Sequence, residues 1–181
     1  MSATLVQTAP QFRLDFNLAK AVDYYKKTNK TFVEGSLVTG AYNRSVKVAF
    51  ECRLAENGVK RNEYDGNVSF CVPVSLDKAE AKALQILSNR MVEESLEQTR
   101  DDEDKWEFMP VLRSDRPWYM KIKMRSGKFV PVINGGQVNR DTYEHFGQTG
   151  DKVKVVGTFS IWMNPERGQF GLKFDPVTID F

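Results

Sequence analysis

Residues 152–174 read KVKVVGTFSIWMNPERGQFGLKF. Val153, Val155, Phe159, Ile161 and Met163 share one strand parity, and Lys152, Lys154, Thr158, Ser160 and Trp162 share the other. Successive side chains of an extended chain point to opposite faces, so the first set fills a core and the second stands on an outer surface. Asn164-Pro165-Glu166-Arg167-Gly168 then interrupts the alternation with turn-forming residues. Beyond the turn Phe170, Leu172 and Phe174 resume the inward parity and Lys173 faces outward. The segment predicts a β-hairpin with one dry face and one wet, cationic face.

The same alternation recurs upstream. Phe12, Leu14, Phe16 and Leu18 alternate with Arg13, Asp15 and Asn17, and Val46, Val48, Phe50, Cys52 and Leu54 alternate with Lys47, Glu51 and Arg53. Val68, Phe70, Val72, Val74 and Leu76 share one parity. After Ser75 the period changes. Leu84, Leu87 and Met91 fall on one helical face of an Ala/Glu/Lys-rich run, which predicts a helix over residues 77–98. Strands resume at 106–113 and at 118–125, the latter turning through Ser126-Gly127 into 128–133. Asn134-Gly135-Gly136 breaks the pattern, and residues 140–145 fit either a short helix or a loop. No repeat, low-complexity tract or linker divides the chain. The expectation is a mainly β, antiparallel OB-fold-type barrel with one inserted helix, a single domain over residues 1–181 with an N-terminal strand extension. A β-sandwich accommodates nearly the same strand count.

At 181 residues with 41% hydrophobic residues, the chain can bury a substantial core. Its net charge of +2 hides an uneven distribution. Residues 93–107 are acidic, with Asp101, Asp102, Glu103 and Asp104 consecutive, whereas basic residues dominate from Lys121 to Lys173. Cys52 and Cys71 are too few and too far apart for a disulfide framework or a zinc cluster, and their inward or mid-strand positions suit small core residues in a reduced cytosol. The N-terminal MSATLVQTAP has neither a basic start nor an apolar run, and no window reaches the length of a membrane span, so a soluble intracellular setting such as a host cytoplasm is expected.

Catalytic patterns are weak. The one histidine, His145, excludes a histidine metal cluster and sits in a polar Tyr-Glu-His context. Gly135-Gly136 lacks the Lys and Ser/Thr of a phosphate-cradling loop. Consecutive acids in a loop, as expected at 101–104, usually point in different directions and face water, where a nuclease would need convergent carboxylates. No cofactor, metal site or enzymatic activity is expected.

The stretch 118–132, WYMKIKMRSGKFVPV, is the other cationic strand. Trp118, Met120, Ile122 and Met124 take the core parity, and Tyr119, Lys121, Lys123 and Arg125 take the outer one, with Lys128 following the turn. Two strands thus interleave rings and cations on their outer parities. An extended single strand of nucleic acid offers π-faces that stack on rings and phosphates that attract Lys and Arg, so such a face suits that ligand. The candidate nucleic-acid-binding set is Tyr119, Lys121, Lys123, Arg125, Lys128, Lys152, Lys154, Trp162 and Lys173. The competing expectation is a structural or interaction β-sandwich, such as a virion component, whose basic faces are only solvated.

The order of a strand ending in VPVSL, a helix, an acidic stretch, a basic strand running into KFVPVINGG, then GDKVKVVGTF, a polar turn and FGLKFDPVTI resembles the phage-encoded single-stranded-DNA-binding proteins of short-tailed bacteriophages over residues 67–179. The resemblance implies an OB-fold and a homodimer. It implies coating, protection and annealing of single-stranded DNA in replication, recombination and repair, with contacts to the replicative polymerase and helicase-primase. Trp162 matches one member of the aromatic pair that the family carries before the last hairpin turn, whereas its neighbours Ile161 and Met163 are not aromatic. The family's long acidic C-terminal tail is echoed only by the final Asp180-Phe181.

Overall fold

The computed structural model of the chain describes residues 13–15, 18–30, 36–39, 44–45, 47–64, 67–97, 106–124, 132–134 and 146–181. Within them eleven strands form one mixed sheet. In chain order these are β1 (Arg13–Asp15), β2 (Ser36–Thr39), β3 (Arg44–Ser45), β4 (Lys47–Leu54), β5 (Lys60–Tyr64), β6 (Asn67–Ser75), β7 (Glu107–Met109), β8 (Tyr119–Met124), β9 (Val132–Ile133), β10 (Lys152–Asn164) and β11 (Gln169–Asp180). Helix α1 (Leu18–Thr28) follows β1, helix α2 (Lys78–Glu97) follows β6, and a 3-10 turn (Pro165–Arg167) joins β10 to β11.

The backbone of the fold is the path β8, β6, β4, β10, β11, in which every neighbouring pair is antiparallel. β4 and β5 occupy successive stretches of the same β6 edge, at Val74–Ser75 and at Asn67–Cys71. The path curls until β8 and β11 again lie side by side, with Cα atoms within 8 Å. No ladder joins them, so the sheet stays open along this seam. On that side β11 is paired in parallel with β7 at Gln169–Gly171 and with β9 at Thr178–Ile179. Residues 172–177 between these stretches have no strand partner on the seam edge among the described residues.

The curvature has a local cause. The β10–β11 register shifts between Val156 and Gly157, opposite Pro176, which has no N–H to give to a ladder. A Cβ at position 157 would meet the Asp175 carbonyl oxygen and lie 2.5 Å from Cζ of Phe174, so only glycine lets the strands cross this closely. Phe174 in turn meets Phe50 and Phe159 edge to face, at centroid separations of 5.2 and 5.1 Å. Around this cluster the inward residues of β4, β6, β8, β10 and β11 are buried together with Leu18, Ala21 and Val22 of α1 and Ala83, Leu84 and Leu87 of α2.

The hairpin of 152–174 has the predicted parity throughout: Val153, Val155, Phe159, Ile161, Met163, Phe170, Leu172 and Phe174 are buried. Helix α2 matches its expected span to within a residue at each end, and Asp77 caps it, its Oδ1 accepting the Glu80 N–H at 2.8 Å.

Three expectations are corrected. Of the alternating residues 12–18, Arg13–Asp15 form the short β1 and Leu18 opens α1, whose Leu18, Ala21 and Val22 recur at helical spacing, while residues 12, 16 and 17 lie outside the described residues. The strand over 106–113 is confined to Glu107–Met109 and gives way to turns. Trp118 does not join Met120, Ile122 and Met124 in the core: it precedes β8 and is 53% exposed. Conversely Cys71 and Pro73, on the outer parity of β6, are buried as well. The strands form one sheet, where a sandwich would have two. No helix among the described residues is long and apolar enough to cross a membrane. The acidic run 101–104, His145, the 128–131 part of the expected strand and the ambiguous segment 140–145 lie outside the described residues.

Candidate functional site

Three strands carry expected site residues to one place. β8 presents Lys121 and Lys123 on its exposed parity, β10 presents Trp162, and β11 presents Lys173. All four line a cleft of about 500 Å³ at the seam, walled by Pro110, Val111, Met120, Leu172 and Phe174 and closed on one side by Asp175.

Trp162 is held by the strand opposite. Its register partner is Gly171, and a Cβ there would fall 2.9 Å from both Cε2 and Nε1 of the indole and 2.6 Å from the Met109 carbonyl oxygen. The ring therefore lies across the glycine, half-buried, with β7 backing it. An indole pinned on one face and open toward a cleft is a preorganised stacking surface.

The charge of the cleft is cationic but not uniform. Asp175 receives a short hydrogen bond from the Ser160 hydroxyl through Oδ2 and lies 3.9 Å from Lys173 Nζ through Oδ1. This carboxylate orients Lys173 and offsets its charge. Lys121 and Lys123 are exposed and make no ion pair among the described residues. Within the cleft these two are the cations most available to an anionic ligand.

Tyr119 stands outside the cleft. Its hydroxyl donates to Glu56 Oε1 at 3.2 Å, Arg116 stacks over its ring at 5.9 Å, and Glu56 also pairs with Lys60 at 3.6 Å. Burial, reinforced by the Glu56 carboxylate, raises its hydroxyl above the ordinary tyrosine value. Both the face and the edge of this ring are engaged within the protein.

Lys152 and Lys154 share the strand face of Trp162 but occupy the opposite end of β10. The eight residues from Lys154 to Trp162 span about 26 Å in a straight strand. Lys152 lines a different depression of about 340 Å³ with Arg53, Glu51 and Asp77, where charges of both signs balance. Lys154 has Glu51 and Asp180 as its register partners on either side. They share the outward parity of Trp162, as expected, and stand at the other end of the strand from the cleft. Arg125 and Lys128 lie outside the described residues.

Sequence reading missed the walls of the cleft, Pro110, Val111 and Asp175, because they reach it through the seam, which has no local signature. It also missed Gly171, although a glycine opposite an outward Trp in a hairpin is a readable sign that the ring lies flat. Both cysteines are buried and neither is in a disulfide. Cys52 gives a weak S–H hydrogen bond to the Val153 carbonyl at 3.5 Å, and burial followed by the Glu80 charge pushes its thiol up to about 12, which keeps it protonated and unreactive at neutral pH. Comparison of the chain with protein-family models, curated proteins and solved structures finds no match.

Proposed function

We propose that this protein binds single-stranded DNA without strong sequence preference, through an OB-type barrel whose ligand groove is the cleft at the seam. The observation that carries the reading is the convergence of Lys121, Lys123, Lys173 and Trp162, contributed by three strands, on one cleft. Phosphates need cations and bases need a ring, and the cleft offers both within the reach of a few nucleotides. The strand order supports the architectural part. Taken as barrel strands one to five, β4, β6, β8, β10 and β11 follow the order of an OB barrel, left open between the third and fifth strands. The cleft then uses the third strand and the neighbourhood of the turn between strands four and five, which is where OB barrels hold oligonucleotides. In this reading the protein coats and protects single strands and promotes their annealing during phage replication, recombination and repair. It works as a homodimer in contact with the replicative polymerase and helicase-primase.

Titration of the full chain with labelled single-stranded DNA, duplex DNA and RNA, with salt varied, tests the proposal. Binding to single strands should exceed binding to duplex, with log affinity falling against log salt by about 0.7 for each phosphate contact. Equal, negligible affinity for all three would sink it in favour of a structural or interaction protein.

A further inference from the structure

The chain enters β8 through Pro117 and Trp118. Trp118 is the most exposed of the large apolar residues left at the described surface. Its carbonyl accepts the Leu76 N–H at 2.8 Å, so its backbone is held while about half of the residue remains in water. Beside the ring, Pro117 and Ala81 complete a shelf of about 410 Å³, and Lys78 and Lys82 of α2 stand at its rim. Those two lysines are four residues apart, hence neighbours on one helix face. Both are exposed and make no ion pair among the described residues. The ring is about half exposed, and two cations that make no ion pair among the described residues stand beside it.

We propose that the Trp118 shelf is a second base-stacking subsite, reached by the same DNA strand that occupies the Trp162 cleft, with Lys78 and Lys82 taking phosphates. This rests on the function proposed above. Continuity favours DNA as the occupant. Met120 lines the cleft and lies two residues from Trp118, no more than about 7 Å along an extended chain. A strand leaving the cleft past the start of β8 therefore arrives at the shelf. The rim is cationic and the floor is a flat ring, which any base can cover. Footprints of about 4 to 16 nucleotides per barrel leave room for both platforms on one oligonucleotide.

The test is an oligothymidylate length series across that range, measured by anisotropy at fixed salt on wild type, W118A, W118F and W162A, with the mass of each protein determined in solution. W118A should match wild type on the shortest oligonucleotides and bind the longest about tenfold more weakly. W118F, which keeps a ring, should retain most of the length-dependent gain. W162A should weaken at every length. If W118A follows wild type at all lengths while W162A weakens, the shelf is not a subsite although the function stands. If W118A leaves DNA affinity intact but breaks a dimer or abolishes capture of an acidic peptide, the shelf is a protein-docking surface and the inference fails. If wild type binds no oligonucleotide of any length, the function itself has failed, a different result from either.

Discussion

Trp162 and Lys154 sit on one strand and one face, yet their surroundings differ. Around Trp162 the opposite strand offers a glycine, the next strand around the seam offers two lysines that make no ion pair among the described residues, and a cleft opens. Around Lys154 the opposite strands offer Glu51 and Asp180, and beside it Lys152 lies among Arg53, Glu51 and Asp77. An outward residue becomes a binding residue or a compensated one according to its cross-strand partners. Strand parity decides facing, and register decides availability.

The comparison breaks most sharply at the ring. Trp162→Ala should cost about 1 to 3 kcal/mol of single-strand binding, roughly fivefold to more than a hundredfold in Kd. Since the indole is half-buried over Gly171, a small loss in Tm should accompany it. Trp162→Phe should restore most of the affinity. Binding unchanged in the Ala variant, below its melting temperature, would move the site away from this end of β10.

Next in size is the charge of the cleft. Removing Lys121 and Lys123 together should weaken binding about tenfold near 0.15 M salt and flatten the log-log salt dependence by about 1.4, two contacts at 0.7 each. The paired substitution of Lys152 and Lys154 by Ala sets the contrast. With carboxylates already facing them, it should change Kd by less than about twofold and leave the slope nearly intact. If the second pair matters as much as the first, the DNA path runs the length of β10 and the distinction between its two ends collapses.

The elements legible in the sequence are those whose cause is local. Lys152–Asn164 and Gln169–Asp180 alternate cleanly because one face is dry, and α2 declares itself by Leu84 and Leu87 on one face of an Ala/Glu/Lys-rich run. What escaped depended on partners far away in the chain. Helix α1 was hidden by the alternation of Phe12, Leu14, Phe16 and Leu18, a pattern the helix cuts at Leu18. Trp118 carries the parity of core residues but precedes the strand, directly after Pro117, where parity has no force. The cleft itself was half legible: its lysines and tryptophan were named, but their meeting across the β8–β11 seam was not. The register shift at Gly157 goes with a close approach to Asp175 and Phe174, eighteen and seventeen positions on.

The smallest expected effect on binding, and a control on everything above, lies at Glu80. This side chain is 6% exposed, its Oε2 is buried with no hydrogen-bond partner among the described residues, and it does not line the cleft. Burial first, then the charges of Asp77 and Glu51, raise its carboxyl to about 7. The folded state therefore holds a proton that the unfolded chain releases near its ordinary value of 4.5. Between those two values the native state binds more protons than the unfolded one, so this group's contribution falls as pH rises from about 4.5 to about 7 and stays at its least favourable above that. Glu80→Gln keeps the shape and removes the charge. It should raise Tm by several degrees at pH 8, by an amount that shrinks as the pH approaches 5, and leave the Kd for single strands unchanged at both. Thermal melts of wild type and variant across that range read the first part, and anisotropy titrations read the second. A Tm difference that does not depend on pH would mean that Glu80 is ionised alike in both states. A change in Kd would mean that Glu80 acts on DNA binding, through Lys78 and Lys82 on its own helix or through the strands that lead to the cleft, and the separation of site from support would have to be redrawn.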